Sequence, residues 1–469
     1  MMRKYLLISL VIVCLAGCTM VPAYQRPEAP VPVSWPTGPA YKDAVSGESG
    51  IGAADIGWRD FYRDERLQKV IGLALENNRD LRVAALNIEK ARALYGIQRA
   101  ELFPVINASG GLNEYRVSRD TSLTDEAMNV RQYSASLGTS YWELDFFGRI
   151  RSLKDRALEQ YLATEHASRS AQISLMAEVA NVYLTLAADQ ENLELAQSTL
   201  QAQESTYAMI LRRYEVGASS ELDLNQAKTR TEAARVDAAR YSGQVALDEN
   251  ALQLLVGSPV PAELLANKLE AVASPKDISA GLSSERLLQR PDILQAEGLL
   301  KAANANIGAA RAAFFPRITL STSIGTSSDE LSGLFKAGAG VWNFMPQITM
   351  PIFDARLWSA LKEVKVEREI ALAQYEKAIQ VAFREVADAL ARKGTVGDQV
   401  AAQESLVEAS TNAYRLSDAR YTKGIDSYLG ALDAQRSLYA AQQGLIAVRL
   451  SRLVNLVTLY KVLGGGAGE

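Results

Sequence analysis

Few side chains in this sequence are equipped for chemistry. There is one histidine, His166, and there are two cysteines, Cys14 and Cys18. A metal centre needs several converging ligands and a disulfide framework needs paired thiols, so neither can be built from this stock. No Gly-x-x-x-x-Gly-Lys-Ser/Thr loop is present to cradle a nucleotide, so any energy must come from a partner. The acids recur at helical spacing and suit solvated or packed helix faces better than acid–base work. His166 falls within a long helical run, where a helix-surface role outweighs ligation. Catalysis, metals and cofactors are therefore not expected, and a net charge of −4 argues against nucleic acid as partner.

One thiol has a chemical context. Arg3-Lys4 is a basic start, and Tyr5 to Leu15 is an apolar run too short to span a membrane permanently. The run closes on Leu15-Ala16-Gly17-Cys18, which resembles a bacterial lipobox. That resemblance implies a signal peptide over 1–17, cleavage before Cys18 and lipidation of that cysteine. Thr19 beside it, rather than Asp, fits sorting to the outer membrane. Cys14 leaves with the leader, so no mature disulfide is possible, and loss of Arg3 and Lys4 takes the net charge from −4 to −6. An acyl chain anchors to a lipid surface without crossing it.

A second constellation is structural. Arg213-Tyr214-x-x-Gly217-x-x-Ser220-x-Leu222 recurs as Arg420-Tyr421-x-x-Gly424-x-x-Ser427-x-Leu429. Each glycine stands where a helix ends on a left-handed residue, and Ser220 and Ser427 stand where a returning helix needs an N-cap. What precedes each turn is long. From Arg149 to Val216 there is neither proline nor glycine, and Val179, Leu186, Leu193, Leu200, Tyr207 and Tyr214 recur every seventh position. This is a packing seam on one continuous helix, and 65 residues at about 1.5 Å each make a rod of about 100 Å.

The whole plan is stated twice. Asp80 to Phe103 and Asp292 to Phe315 are both 23 residues, Arg149 to Tyr214 and Arg356 to Tyr421 both 65, and Leu222 to Gly257 and Leu429 to Gly464 both 35. Matched intervals in one order indicate internal duplication. The expected organisation is an extended, proline-rich, lipidated segment over 18–57, repeat 1 over 58–257, repeat 2 over 258–464 and a flexible tail over 465–469. Each return rod should be assembled from two shorter helices end to end. Lys393, Gly394 and Gly397 break the second rod's heptad and predict a local irregularity.

Four segments alternate with period two, at about 104–114, 132–142, 316–325 and 340–350. One face carries residues such as Tyr133, Leu137, Ile318, Leu320, Trp342 and Phe344; the other carries Ser and Thr. Strands of about 9–11 residues with one apolar and one small polar face suit a transmembrane β-barrel with a wet lumen. Four strands cannot close such a barrel, and open edges in lipid leave backbone groups unpaired. Several chains must pool their strands.

The lipobox, the duplicated strand-strand-rod plan and the paired R-Y-x-x-G-x-x-S-x-L turns together resemble the TolC/OprM-like outer-membrane factors, across the chain to about Gly464. The resemblance implies a mixed α and β fold: a twelve-stranded barrel closed by trimerisation, a mixed equatorial region, and a long α-helical barrel through the periplasm. It implies a homotrimer in outer-membrane lipid, serving as the passive exit duct of a tripartite efflux pump with a periplasmic adaptor and an inner-membrane transporter. It also implies adaptor docking at Tyr214, Gly217, Ser220, Leu222, Gly424 and Ser427. Leu429 and Asp433, with Tyr421 nearby and Asp223 offset in the first repeat, match the narrowing of the periplasmic aperture. Type I protein secretion and a non-conducting coiled-coil spacer are the alternative readings.

Overall fold

The computed structural model describes residues 19–42, 55–122, 124–278 and 283–466. The leader and Cys18 lie outside these residues. Seven longer helices and four strands follow one another as α1 (Glu65–Asn77), α2 (Arg79–Ala100), β1 (Asn107–Val117), β2 (Met128–Leu144), α3 (Arg149–Glu215), α4 (Glu221–Val256), α5 (Pro291–Ala312), β3 (Arg317–Ser328), β4 (Gly340–Thr349), α6 (Ala355–Thr422) and α7 (Tyr428–Val462). The two rods hold 67 and 68 residues. One stretch of α3 is apolar enough to cross a membrane by length and composition, but 61% of it is buried in the chain, as a packed rod requires.

The chain divides into two compact units. The first draws on 1–28, 87–165 and 295–375, the second on 29–86, 166–294 and 376–469. Each draws on segments from both halves of the chain.

The first unit holds the sheet, antiparallel throughout in the order β1-β2-β3-β4. Leu112 stands opposite Tyr133, Leu137 opposite Ile324, and Ile324 opposite Trp342, so the apolar positions align across all four strands. Among the described residues nothing covers them: Leu137, Ile324, Trp342 and Ile348 are 55–78% exposed. A half-buried soluble sheet would hide this face. The other face is drawn close by glycine. A Cβ at Gly138 or Gly325 would stand 2.1 Å from a backbone oxygen of the neighbouring strand. β2 runs past its alternating core at both ends, from Met128 to Leu144, and β1 and β3 run on to Val117 and Ser328, whereas β4 stays within its core. Alternation marks only the apolar band, whereas pairing continues through polar ends such as the Glu114–Arg131 ion pair at 2.9 Å.

In the same unit the extended chain after residue 18 is strapped to helices. Asn304 donates to the Pro22 carbonyl and Arg311 to that of Met20. Glu297, 2% exposed, receives both Arg26 nitrogens and the Tyr24 hydroxyl.

The second unit contains the junctions expected between return helices. The Asn78 side chain accepts from Leu81 N at the start of α2 and donates to the Leu255 carbonyl near the end of α4, both at 2.8 Å. In the second repeat Arg290 takes the place of Asn78 and donates to the Val462 carbonyl at 2.7 Å. Both satisfy carbonyls that a helix end leaves without partners, and the guanidinium also complements the dipole. The irregularity expected near Gly394 is absent, since α6 runs unbroken to Thr422. The glycine serves close approach instead, because a Cβ there would lie 2.3 Å from the Ala40 carbonyl oxygen.

Candidate functional site

Both hairpin tips lie in the second unit and are built from the recurring turn. Gly217 and Gly424 each have φ of +73°, a conformation a Cβ disfavours. Gly217 N bonds Tyr214 O and Ala218 N bonds Arg213 O; Gly424 N bonds Tyr421 O and Ile425 N bonds Arg420 O. These are two copies of one Schellman ending, and they use the last carbonyls of each rod.

The returning helices start differently. Ser220 forms a full capping box, its Oγ accepting from Asp223 N while Asp223 accepts from Ser220 N. Ser427 occupies the N-cap of α7, but its side chain makes no capping bond among the described residues. The expectation of equal caps is corrected here. The residue matching Asp223 is Gly430, which has no carboxylate to reciprocate. Asp426 is meanwhile drawn to Arg420, with bonds of 2.6 and 3.1 Å.

Between the tips lies an apolar cluster of Ile210, Ala227, Tyr428 and Leu432, flanked by Tyr207, Leu224 and Tyr421. The Tyr421 and Tyr428 rings stand 5.1 Å apart, and Arg213 donates to the Tyr421 hydroxyl at 3.1 Å. Tyr421 and Arg213 therefore tie the two hairpins to each other. Burial, then the neighbouring Tyr421 and Tyr414, push the Tyr428 hydroxyl up to about 12. Outside the cluster, Val216, Leu222, Ile425 and Leu429 are 59–78% exposed, and Tyr214 is 40% exposed.

The acids expected at the aperture are not equivalent. Asp223 is half-buried and spent on the cap. Asp433 is exposed, with Arg436 at 3.8 Å on the same helix. Arg230 of α4 is held below its ordinary value by burial and by the charge of Arg436, with Asp433 opposing. Asp433 thus sits among cations rather than alone. Sequence reading missed Tyr428 and Ile210 and gave Arg213 only as the start of the turn motif, because the partners of all three lie on the other hairpin. Tyr428 had one local signal, its place directly after the N-cap serine.

The profile of the outer membrane efflux proteins matches residues 70–258 and 282–465. The chain belongs to this family. This outer membrane efflux protein is 50% identical, over 99% of its length and 96% of the relative's, to the probable efflux pump outer membrane protein TtgC of Pseudomonas putida. It is 42% identical to the outer membrane protein OprJ of Pseudomonas aeruginosa, with 98% and 95% covered. Its fold matches the open-state MtrE outer membrane channel of Neisseria gonorrhoeae with a TM-score of 0.86 at 39% identity, covering 96% and 99% of the two chains. The CmeC outer membrane channel of Campylobacter jejuni gives 0.87 at 25% identity, with 96% of each covered. The protein is thus a TolC/OprM-like outer-membrane factor, an efflux channel of the outer membrane.

Proposed function

We propose that three copies of this chain pool their sheets into one outer-membrane barrel and form the exit duct of a tripartite efflux pump. The observation that carries this is the sheet itself. Among the described residues its two edge strands have no partners and nothing covers its apolar face. In lipid, both become satisfied only when β4 of one copy pairs with β1 of the next.

The internal duplication suggests how copies meet. Gly308 of α5 lies so close to Ser152 of α3 that a Cβ would stand 2.7 Å from the serine hydroxyl. Their counterparts in the other repeat are Gly96, 212 positions earlier, and Ser359, 207 positions later. Both are exposed, and no described atom lies within 4 Å of a Cβ at Gly96. The joint made once inside the chain is therefore made again between copies.

Cys18 would carry the lipid anchor. The tips around Tyr214, Gly217, Ser220, Leu222, Gly424 and Ser427 would receive a periplasmic adaptor fed by an inner-membrane transporter, their exposed Val216, Leu222 and Ile425 offering apolar contact. Leu429, Asp433, Tyr421 and Asp223 would narrow the aperture. Relatives are named for toluene and antibiotic efflux, and small apolar or amphipathic compounds are the cargo class proposed. A Gly96→Cys/Ser359→Cys chain, oxidised in membranes, should give covalent dimers and trimers. Inserted protein that yields no inter-chain product would refute the joint.

A further inference from the structure

We propose that Lys362 and Lys365 of α6, with Arg311 of α5, cradle the headgroup phosphate of an anionic phospholipid in the leaflet that faces the periplasm. The assignment rests on the outer-membrane placement of the sheet given above. Every residue involved belongs to the first unit.

The depth of the site is set by the extended N-terminal chain. Read backwards, that chain climbs α5: Tyr24 and Arg26 meet Glu297, and the Pro22 carbonyl accepts from Asn304 at 2.8 Å. Higher up, a Cβ at Gly308 would stand 2.9 Å from Val21 N, and the Met20 carbonyl accepts from Arg311 at 3.3 Å. The contacts thus ascend towards Pro316 and the first residue of β3, Arg317, where the sheet begins. Cys18, the expected anchor, is two residues farther along the chain, at most about 7 Å away. On the neighbouring helix, Lys362 and Lys365 follow the first residue of α6, Ala355, by about 10 and 15 Å of helical rise. Side chains on a helix lean towards its N-terminus, which here is the end next to the sheet, and long lysine stems carry the charge back towards the lipid.

The three cations surround a groove of about 380 Å³ whose apolar wall includes Pro22, Ala23 and Ile307. Lys362 and Lys365 are exposed, and neither has a carboxylate partner among the described residues. Arg311 is bound to a carbonyl rather than to an acid. Arg368 and Glu369 also line the groove, but they neutralise each other at 2.7 Å. What remains is three positive charges above an apolar wall, which complements a phosphodiester carrying acyl chains. The groove also stays open in the assembly proposed above. Ser359 faces the next copy, with Glu363 and Ile370 on the same row, whereas Lys362, Lys365 and Glu369 lie roughly a quarter-turn round the helix.

Duplication provides the comparison. In the first repeat Asp155 stands in place of Lys362 and Leu158 in place of Lys365, both 207 positions earlier. Asp155 is paired with Lys154 at 2.9 Å. Packing of a rod at this level therefore needs no lysine. The cations accompany the groove that the N-terminal chain borders.

The test is native mass spectrometry of the full-length protein in uncharged detergent, titrated with phosphatidylglycerol or with phosphatidylethanolamine of the same acyl chains. The wild type should retain phosphatidylglycerol in preference, and Lys362→Gln/Lys365→Gln should bind it about thirtyfold more weakly, the worth of two cations at a lipid surface. Phosphatidylethanolamine should not distinguish the two proteins. Lys228→Gln/Lys423→Gln, the same charge change at the tips, should bind as the wild type does. Equal retention of both lipids, an unaffected groove variant, or an equal loss in the tip variant would overturn the proposal. Displacement of the lipid by inorganic phosphate would assign the groove to a free anion and overturn it likewise. Flotation with vesicles reads the membrane placement separately. Protein that floats without lipid preference refutes the cradle alone, and protein that prefers phosphatidylglycerol but never floats refutes the placement.

Discussion

Replacing Arg26 by methionine should release the N-terminal strap. The Glu297 carboxylate it serves has a side chain only 3% exposed and four polar partners. Arg26 donates from Nε at 3.0 Å and from Nη2 at 2.7 Å, Tyr24 from its hydroxyl at 3.1 Å, and Lys301 lies at 3.3 Å. Burial pushes the Glu297 carboxyl up, but the Arg26 bond and the charges of Lys301 and Arg26 outweigh it, so the group titrates below its ordinary value. Such a group stabilises the fold above its unfolded value, and the contribution is lost as pH falls through its depressed folded value.

Breaking a fully buried pair costs about 3–5 kcal/mol. Arg26 is 48% exposed and Lys301 remains, so solvent screening reduces the expected cost to about 2 kcal/mol. Methionine keeps the apolar stem and isolates the charge effect. If strap opening precedes cleavage, proteolysis within 20–28 should rise about thirtyfold, which is 2 kcal/mol expressed as a population. Arg26→Met/Glu297→Gln should recover most of the loss, because it removes the stranded charge rather than the contact. A double variant as labile as Arg26→Met would show that the buried carboxylate is not the source, and the reasoning would fail.

The other expectations follow from the tips. Ser220→Ala should destabilise the start of α4 by about 1 kcal/mol, the usual worth of a cap, whereas Ser427→Ala should leave α7 nearly unchanged. Tip-peptide hydrogen exchange should separate the two, and equal effects would contradict the one-sided capping box. Asp433→Ala should lower cation selectivity in bilayer conductance; since Arg436 and Arg230 partly neutralise the site, the reduction should be modest, and unchanged selectivity would remove Asp433 from the aperture.

How far the sequence could be read depended on distance along the chain. Gly217 and Gly424 announced left-handed helix ends because a missing Cβ is a local property. The capping difference between Ser220 and Ser427 is equally local, written in Asp223 and Gly430. Gly394 was misread for a deeper reason. A glycine can loosen a helix or admit a neighbour, and only the presence of Ala40 decides between them.

By itself the sequence determined the rods, the paired turns and the alternating strands. These follow from backbone sterics and periodicity, which act over a few residues. Tertiary structure alone decided which distant groups share a site: Arg213 with Tyr421, and Glu297 with an arginine 271 positions away. The strength of each such contact depends on burial and on the partner it meets, and no local pattern carries that information before the helices pack.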